Sequence, residues 1–235
     1  DLNRANGAKS LVEKTYRDVL RRAYADEAKR GYDSAEAFSS AFDATTINTV
    51  FPAHSVAQDL RAVAKSIAAR DTLGHKRQIF FVQYNGFDNH GELLNNHEVL
   101  MTNLDADLKA FWDSLNELGV QDEVTLFSCS DFGRTLRSNG QGTDHAWGGN
   151  TFVMGGCVDG GKIFGTYPDE SELRIGSGLD VGSNGRLLPT TSCDEYFAEL
   201  ALWFGLAPAD LAEVFPNLAN FYSYSPPTPP LGFLL

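Results

Sequence analysis

The sequence is short of cysteine, of basic charge and of long apolar runs, and each shortage excludes a class of protein. Its three cysteines form no C-x-x-C pair, which argues against a cysteine-ligated zinc site. Acidic residues outnumber basic ones by 31 to 19, and no basic stripe of the kind that binds nucleic acid is present. No window approaches the roughly 18 apolar residues of a membrane span. We therefore expect neither a nucleic-acid partner nor a transmembrane segment.

The 235 residues, of which 43% are hydrophobic, are enough for one domain with a sizeable core, and we expect a single domain over residues 1–235. Capping boxes, apolar stripes of helical spacing and terminal glycines predict helices over 11–30, 55–73, 92–118 and 192–204. Apolar runs rich in β-branched and aromatic residues predict strands over 78–84, 123–129, 151–154 and 162–164. The proline-rich tail, 222–235, is predicted to be extended.

The order of elements in the middle of the chain is typical of an α/β protein. The predicted strand Gln78–Tyr84, the helix over 92–118 and the predicted strand Glu123–Cys129 follow one another with tight loops. Such a strand–helix–strand series predicts a parallel βαβ unit. Ligands of open α/β sheets bind at the carboxyl ends of the strands, so the residues just past these strands are the candidate site.

Acidic residues and histidines stand at those predicted strand ends. Asp88 and His90 follow the first strand, Asp131 follows the second, and His145 lies in a loop of glycines and polar residues. In extended backbone, residues two apart point the same way, so the first two side chains converge on one point. Carboxylates and imidazoles are zinc and manganese ligands, and we expect these four residues to bind metal. The alternatives are a histidine hydrogen-bonded to a neighbouring carboxylate and an Asp131 that caps a turn.

Arg134 is the candidate catalytic residue. Its guanidinium could clamp an oxyanion at the metal site, and the alternative is a salt bridge to Asp131. His54 and His75 have no acidic neighbours at ligand spacing, and His97 is expected to be exposed on the helix over 92–118. We assign these three histidines no role.

Several short motifs carry a family resemblance. They are Gly86–His90 (GFDNH), Ser130–Thr135 (SDFGRT), Gly142–His145 (GTDH), Gly155–Gly156 and Leu188–Thr191 (LPTT). In this order and spacing they resemble the bacterial domain-of-unknown-function family numbered 1501, of the alkaline phosphatase and sulfatase superfamily, over about residues 55–221. The family pattern more often has Thr where Asn89 stands and Glu where Asp131 stands.

The resemblance implies a mainly parallel sheet sandwiched by helices, as in alkaline phosphatase. It implies that Asp88, His90 and His145 hold one metal and that Asp131 contributes to a second, with zinc first and manganese or calcium as alternatives. The implied function is metal-dependent hydrolysis of phosphate or sulfate esters, small anionic esters or sulfated or phosphorylated glycans, in the periplasm or outside the cell.

The resemblance also implies an earlier segment that brings a metal-binding Asp and a Ser or Thr nucleophile, and nothing in residues 1–75 resembles it. We therefore expect the chain to be the carboxy-terminal part of a larger domain, associated with the missing amino-terminal half or with another chain. No nucleophile is evident here, because Ser128, Ser130 and Thr135 are better explained by strand and turn structure. The alternative is a non-catalytic, metal-containing binding or assembly protein.

Overall fold

The computed structural model describes residues 2–234, with side chains from residue 6 onward, and its backbone contacts divide into two units, Asp1–Phe81 and Val82–Leu235. The first unit is helical: α1 (Leu2–Val12), α2 (Val19–Ala44), α3 (Ser55–Ala68) and α4 (Arg70–Leu73). The spacing predicts an apolar stripe on α3, of which Val63 is half-buried and the rest is buried: Val56, Leu60, Ala64 and Ile67.

The predicted helix over 11–30 is wrong at both ends. Ser10 does not cap a helix, because its hydroxyl donates to the carbonyl of Gly7 within α1 at 2.9 Å. The second helix begins only at Val19, where the Asp18 carboxylate accepts the N–H of Arg21 at 2.9 Å. It then runs through Gly31, since a glycine inside a helix costs only about 1 kcal/mol relative to alanine.

The second unit contains the candidate site. Its long helix α5 spans Leu93–Leu118 and ends on Gly119 with a positive φ of 67°, as predicted. Four short strands follow, β1 (Thr125–Phe127), β2 (Gly133–Ser138), β3 (Thr143–Ala146) and β4 (Val153–Gly155). β1 pairs with β4 and β2 with β3, both antiparallel, and the second pair forms a hairpin with an irregular register between Arg134 and Ser138.

The expected mainly parallel, alkaline-phosphatase-like sheet sandwiched by helices is therefore wrong: in the described residues both sheets are two-stranded and antiparallel. The predicted first strand of the βαβ unit does not form, and Ile79 and Phe81 within it are 78% and 81% exposed. Apolar periodicity shows that a segment favours burial, but a strand also needs a hydrogen-bonded neighbour. Without that neighbour, the next strand shortens to β1 and pairs with β4. Residues 162–164 also form no strand.

Helix α6 (Cys193–Phe204) has the predicted capping box between Ser192 and Glu195 and ends on Gly205. It is followed by a 3-10 turn at Pro208–Asp210, the short α7 (Leu211–Val214) and a second 3-10 turn at Leu218–Asn220. Ala198, Leu211 and Leu218 form a small core among these elements. Within the predicted tail the chain turns at residues 225–228. None of the helices described is long and apolar enough to cross a membrane.

Candidate metal centre

The β2–β3 hairpin carries two of the functional side chains opposite each other. Its register pairs Arg134 with His145 and Gly133 with Ala146. A Cβ on Gly133 would lie 1.9 Å from the carbonyl oxygen of Gly148, so the close approach of the two backbones at this end requires glycine.

The loop before α5 carries two ligand candidates, Asp88 and His90. This loop lies directly against the hairpin. The N–H of Thr143 donates to the carbonyl of Asn89 at 3.2 Å, and the Asn139 side-chain amide donates to the carbonyl of His90 at 3.0 Å. A Cβ on Gly142 would lie 2.4 Å from the Asn89 carbonyl oxygen. Gly142 therefore permits the approach that brings together the first and third of the sequence motifs.

Asp88, His90 and His145 meet at this junction. The Oδ1 atom of Asp88 lies 3.1 Å from Nε2 of His90 and 3.0 Å from Nε2 of His145, and the two Nε2 atoms are 3.2 Å apart. Two ligands of a tetrahedral zinc ion, each about 2.0–2.2 Å from the metal, lie about 3.3–3.5 Å apart. One carboxylate and two imidazoles are also a zinc donor set, so these three residues could hold a metal ion.

The triad of Asp88, His90 and His145 lies at the surface. Each of the three side chains keeps about half of its surface exposed, between 50% and 51%. Structural zinc sites are usually closed by four protein ligands, whereas catalytic sites keep a position open for water or substrate. Three ligands with an exposed face correspond to the catalytic kind of zinc site.

Arg134 holds the carboxylate of the triad in place. Its Nη1 donates to Asp88 Oδ1 at 2.6 Å, its Nε donates to the Thr143 hydroxyl at 2.9 Å, and its Nη2 donates to the Thr143 carbonyl. This guanidinium, with a further hydrogen bond from His145, holds the pKa of Asp88 below its ordinary value. Asp88 is thus kept as the anion that a metal requires, and the salt bridge of Arg134 is with Asp88.

Each imidazole of the triad has a second contact that fixes its ring. His145 stacks on Phe132 with ring centroids 3.8 Å apart and planes 10° from parallel. The Nδ1 of His90, on the side away from the triad, lies 3.4 Å from Asp144 Oδ1. Metal-binding histidines commonly donate their other ring N–H to a carboxylate, which fixes the tautomer. Sequence reasoning assigned no role to Asp144, although its position directly before His145 is a usable signal.

Asp131 is not among the residues that the structure brings together. It is exposed in the turn between β1 and β2, where the Ser130 hydroxyl donates to the carbonyl of Phe132 at 3.0 Å. The metal-ligating atoms that cluster in the described residues belong to Asp88, His90 and His145 alone. A role for Asp131 at a second metal stays a prediction.

Fold and site together define a helix-rich protein with small antiparallel sheets and a surface Asp–His–His cluster suited to a metal ion. Residues 3–177 match the family described as "Protein of unknown function (DUF1501)", and the chain belongs to this family. The matched range includes the three motifs that build the site. Comparison with curated proteins and with solved structures gives no match.

Proposed function

We propose that the protein is an exported, metal-dependent hydrolase-like protein that acts on phosphate or sulfate esters. The observation that carries the proposal is the half-exposed triad, which has the ligands of a zinc site and a face open to a substrate. The choice of ester rests on the resemblance of the motifs to the alkaline phosphatase and sulfatase superfamily. Export, and a small anionic ester or a sulfated or phosphorylated glycan as substrate, rest on the same resemblance.

In this proposal Asp88, His90 and His145 hold the metal. A bound zinc ion would polarise the ester oxygens and activate a nucleophile. Arg134 keeps Asp88 ionised and adds a positive charge beside the position that the ester would take. Together with the metal it would outweigh the carboxylates of Asp88 and Asp144, so the site would attract an anion although the chain carries a net charge of −12.

A non-catalytic, metal-containing binding or assembly protein is the second candidate, and the state of the nearby hydroxyls favours it. The Ser130 and Thr135 hydroxyls donate to backbone carbonyls at 3.0 and 2.8 Å, and the Thr143 hydroxyl accepts from Arg134. Ser128 likewise bonds the backbone of Phe152, accepting its N–H at 2.9 Å. The hydrolase proposal therefore includes association with another chain that brings the nucleophile, and the chain alone should turn over esters slowly.

Metal and anion binding separate the two candidates. Mass spectrometry of metal content should give about one ion per chain after dialysis with zinc, manganese or calcium. Calorimetry should then show inorganic phosphate or sulfate binding to the metal-loaded protein and not to the metal-free protein. Metal without anion binding would favour the non-catalytic candidate. Absence of stoichiometric metal would contradict both. Asp88→Asn should lose the metal, and the control Glu170→Gln, which neutralises an exposed carboxylate elsewhere, should keep it.

A further inference from the structure

Trp147 is unusually exposed for its type, with 66% of its surface open to solvent. Tryptophan is large and apolar, and its average burial in folded proteins is high. This one lies two residues after the triad histidine His145, just past the end of β3.

The exposure does not come from a loosely held loop. The residue before Trp147, Ala146, is buried and pairs with Gly133. The residue after it, Gly148, donates its N–H to the carbonyl of Leu187 at 2.7 Å. A Cβ on Gly148 would lie 2.9 Å from that same carbonyl oxygen, so the backbone here is tightly packed. The indole is thus presented to solvent by backbone that is fixed on both sides.

The position of Trp147 in the chain keeps it close to the metal centre. Residues two apart along a strand share a face. Thr143 and His145 follow this rule: the first contacts Arg134 and the second contacts Asp88, which Arg134 also contacts. Trp147 comes two residues after His145, at a bend just past the end of β3, so its Cα lies within about 7 Å of the Cα of His145. Across the hairpin Phe132 stacks on His145 and adds a second aromatic ring close to the triad.

We propose that Trp147 forms a ring-binding subsite beside the triad. The indole stacks on an aromatic or sugar ring of the substrate while the anionic group of that substrate lies at the metal ligands. The chemistry is common to both ring types, because each presents an apolar face to the indole. This inference rests on the proposed function and narrows its substrate class to esters whose anionic group is attached to, or directly beside, a ring.

The test compares anions of equal charge with and without a ring. Calorimetry of the zinc-loaded protein with methyl phosphate, phenyl phosphate and glucose 1-phosphate measures the contribution of each ring. We expect at least one ring-bearing phosphate to bind about three- to tenfold more tightly than methyl phosphate, in line with aromatic pairs elsewhere. Which ring gains more distinguishes an aromatic substrate from a sugar.

The substitution Trp147→Ala should abolish this preference and leave methyl phosphate affinity and zinc content unchanged, whereas Trp147→Phe should keep most of it. Phe221→Ala, which removes a ring that is 59% exposed outside the hairpin, is the matched control and should change nothing. Equal affinities in the wild-type chain, or a preference that survives Trp147→Ala, would overturn the subsite and leave the metal-dependent function standing. Failure of every phosphate to bind the zinc-loaded chain would refute both.

Discussion

His90 and His145 are 55 positions apart in the chain, yet their Nε2 atoms lie 3.2 Å from each other and both approach Asp88 Oδ1. Neutral imidazoles cannot satisfy all three contacts among these atoms at once, because each ring carries a proton on only one of its two nitrogens. A proton on one ring satisfies one such contact. A divalent cation bound by all three atoms satisfies the whole arrangement at once.

Removal of the His145 side chain should therefore abolish metal binding without unfolding the chain. We expect His145→Ala to reduce metal content from about one ion per chain to near zero, because two ligands rarely retain zinc. The melting temperature of the metal-free protein should change little, since about half of this side chain is exposed. Metal analysis and a thermal melt measure the two effects. His75→Ala is the control, and unchanged metal content in His145→Ala would contradict the assignment.

The carboxylate of Asp144, which faces Nδ1 of His90, should strengthen metal binding at the same site. Asp144→Asn keeps the size of the side chain but removes the charge that faces Nδ1 of His90 at 3.4 Å. Loss of such an outer partner typically weakens metal binding 10- to 100-fold, so we expect a zinc Kd higher by about that factor. Competition with a chromophoric chelator measures it. Wild-type affinity in Asp144→Asn would mean that His90 is oriented by other contacts.

The charge state of Asp88 should depend on Arg134. Arg134 holds the pKa of Asp88 below its ordinary value, so the carboxylate stays ionised to lower pH in the folded chain than in the unfolded one. This contribution to stability is present above the unfolded pKa and is lost as the pH falls through the lowered folded pKa. In Arg134→Met the Asp88 pKa should rise towards the ordinary value.

Carbon NMR of the metal-free protein, titrated through the acid range, follows the Asp88 carboxyl directly. Arg137→Met, which removes an exposed guanidinium from the same strand, should leave the titration unchanged. The pKa of Asp169, held low by hydrogen bonds from Ser171, gives an internal reference that neither variant should move. An Asp88 titration identical in wild type and Arg134→Met would rule out the proposed electrostatic role.

More of the site than of the fold could be predicted from the sequence. Asp88 and His90 share one motif, and a histidine in a glycine-rich loop is poorly explained by packing, so local chemistry identified all three residues of the triad. The inferred sheet was wrong because the run Ile79–Val82 indicates a preference for burial but not the partner that would bury it. Long-range pairing is fixed by the other strand, and no local pattern contains that information.

Gly142, the first residue of the third motif, should be as necessary as the ligands. In Gly142→Ala the new Cβ would meet the backbone at Asn89 and His90 at 2.4–2.7 Å, and backbone cannot move aside as the end of a side chain can. We expect a loss of about 1–3 kcal/mol in the free energy of unfolding and weaker zinc binding. Gly178→Ala is the control, because a Cβ there meets nothing within 4 Å. Urea denaturation and chelator competition measure both effects, and a Gly142→Ala chain with wild-type stability would refute this role.

The buried carboxylate of Glu199 holds residues 231–234 in place. Neutralisation of this carboxylate should release that segment. Glu199 is 2% exposed in α6, and its Oε1 accepts the N–H groups of Phe233 and Leu234 at 2.5 and 2.9 Å. Its Oε2 accepts those of Leu231 and Gly232, both at 2.7 Å. Four backbone donors satisfy this carboxylate, which explains why an ionised group can be buried here.

In Glu199→Gln one oxygen becomes an NH₂ group that faces two N–H donors and can accept from neither. Loss of two hydrogen bonds to a charged acceptor should cost about 2–4 kcal/mol in the free energy of unfolding. Amide hydrogen exchange at residues 231–234 should accelerate while exchange within α6 stays the same, because those four N–H groups bond to this one side chain. Glu213→Gln, an exposed carboxylate on α7, is the matched control. Unchanged exchange at these amides in Glu199→Gln would show that apolar contacts alone hold the segment.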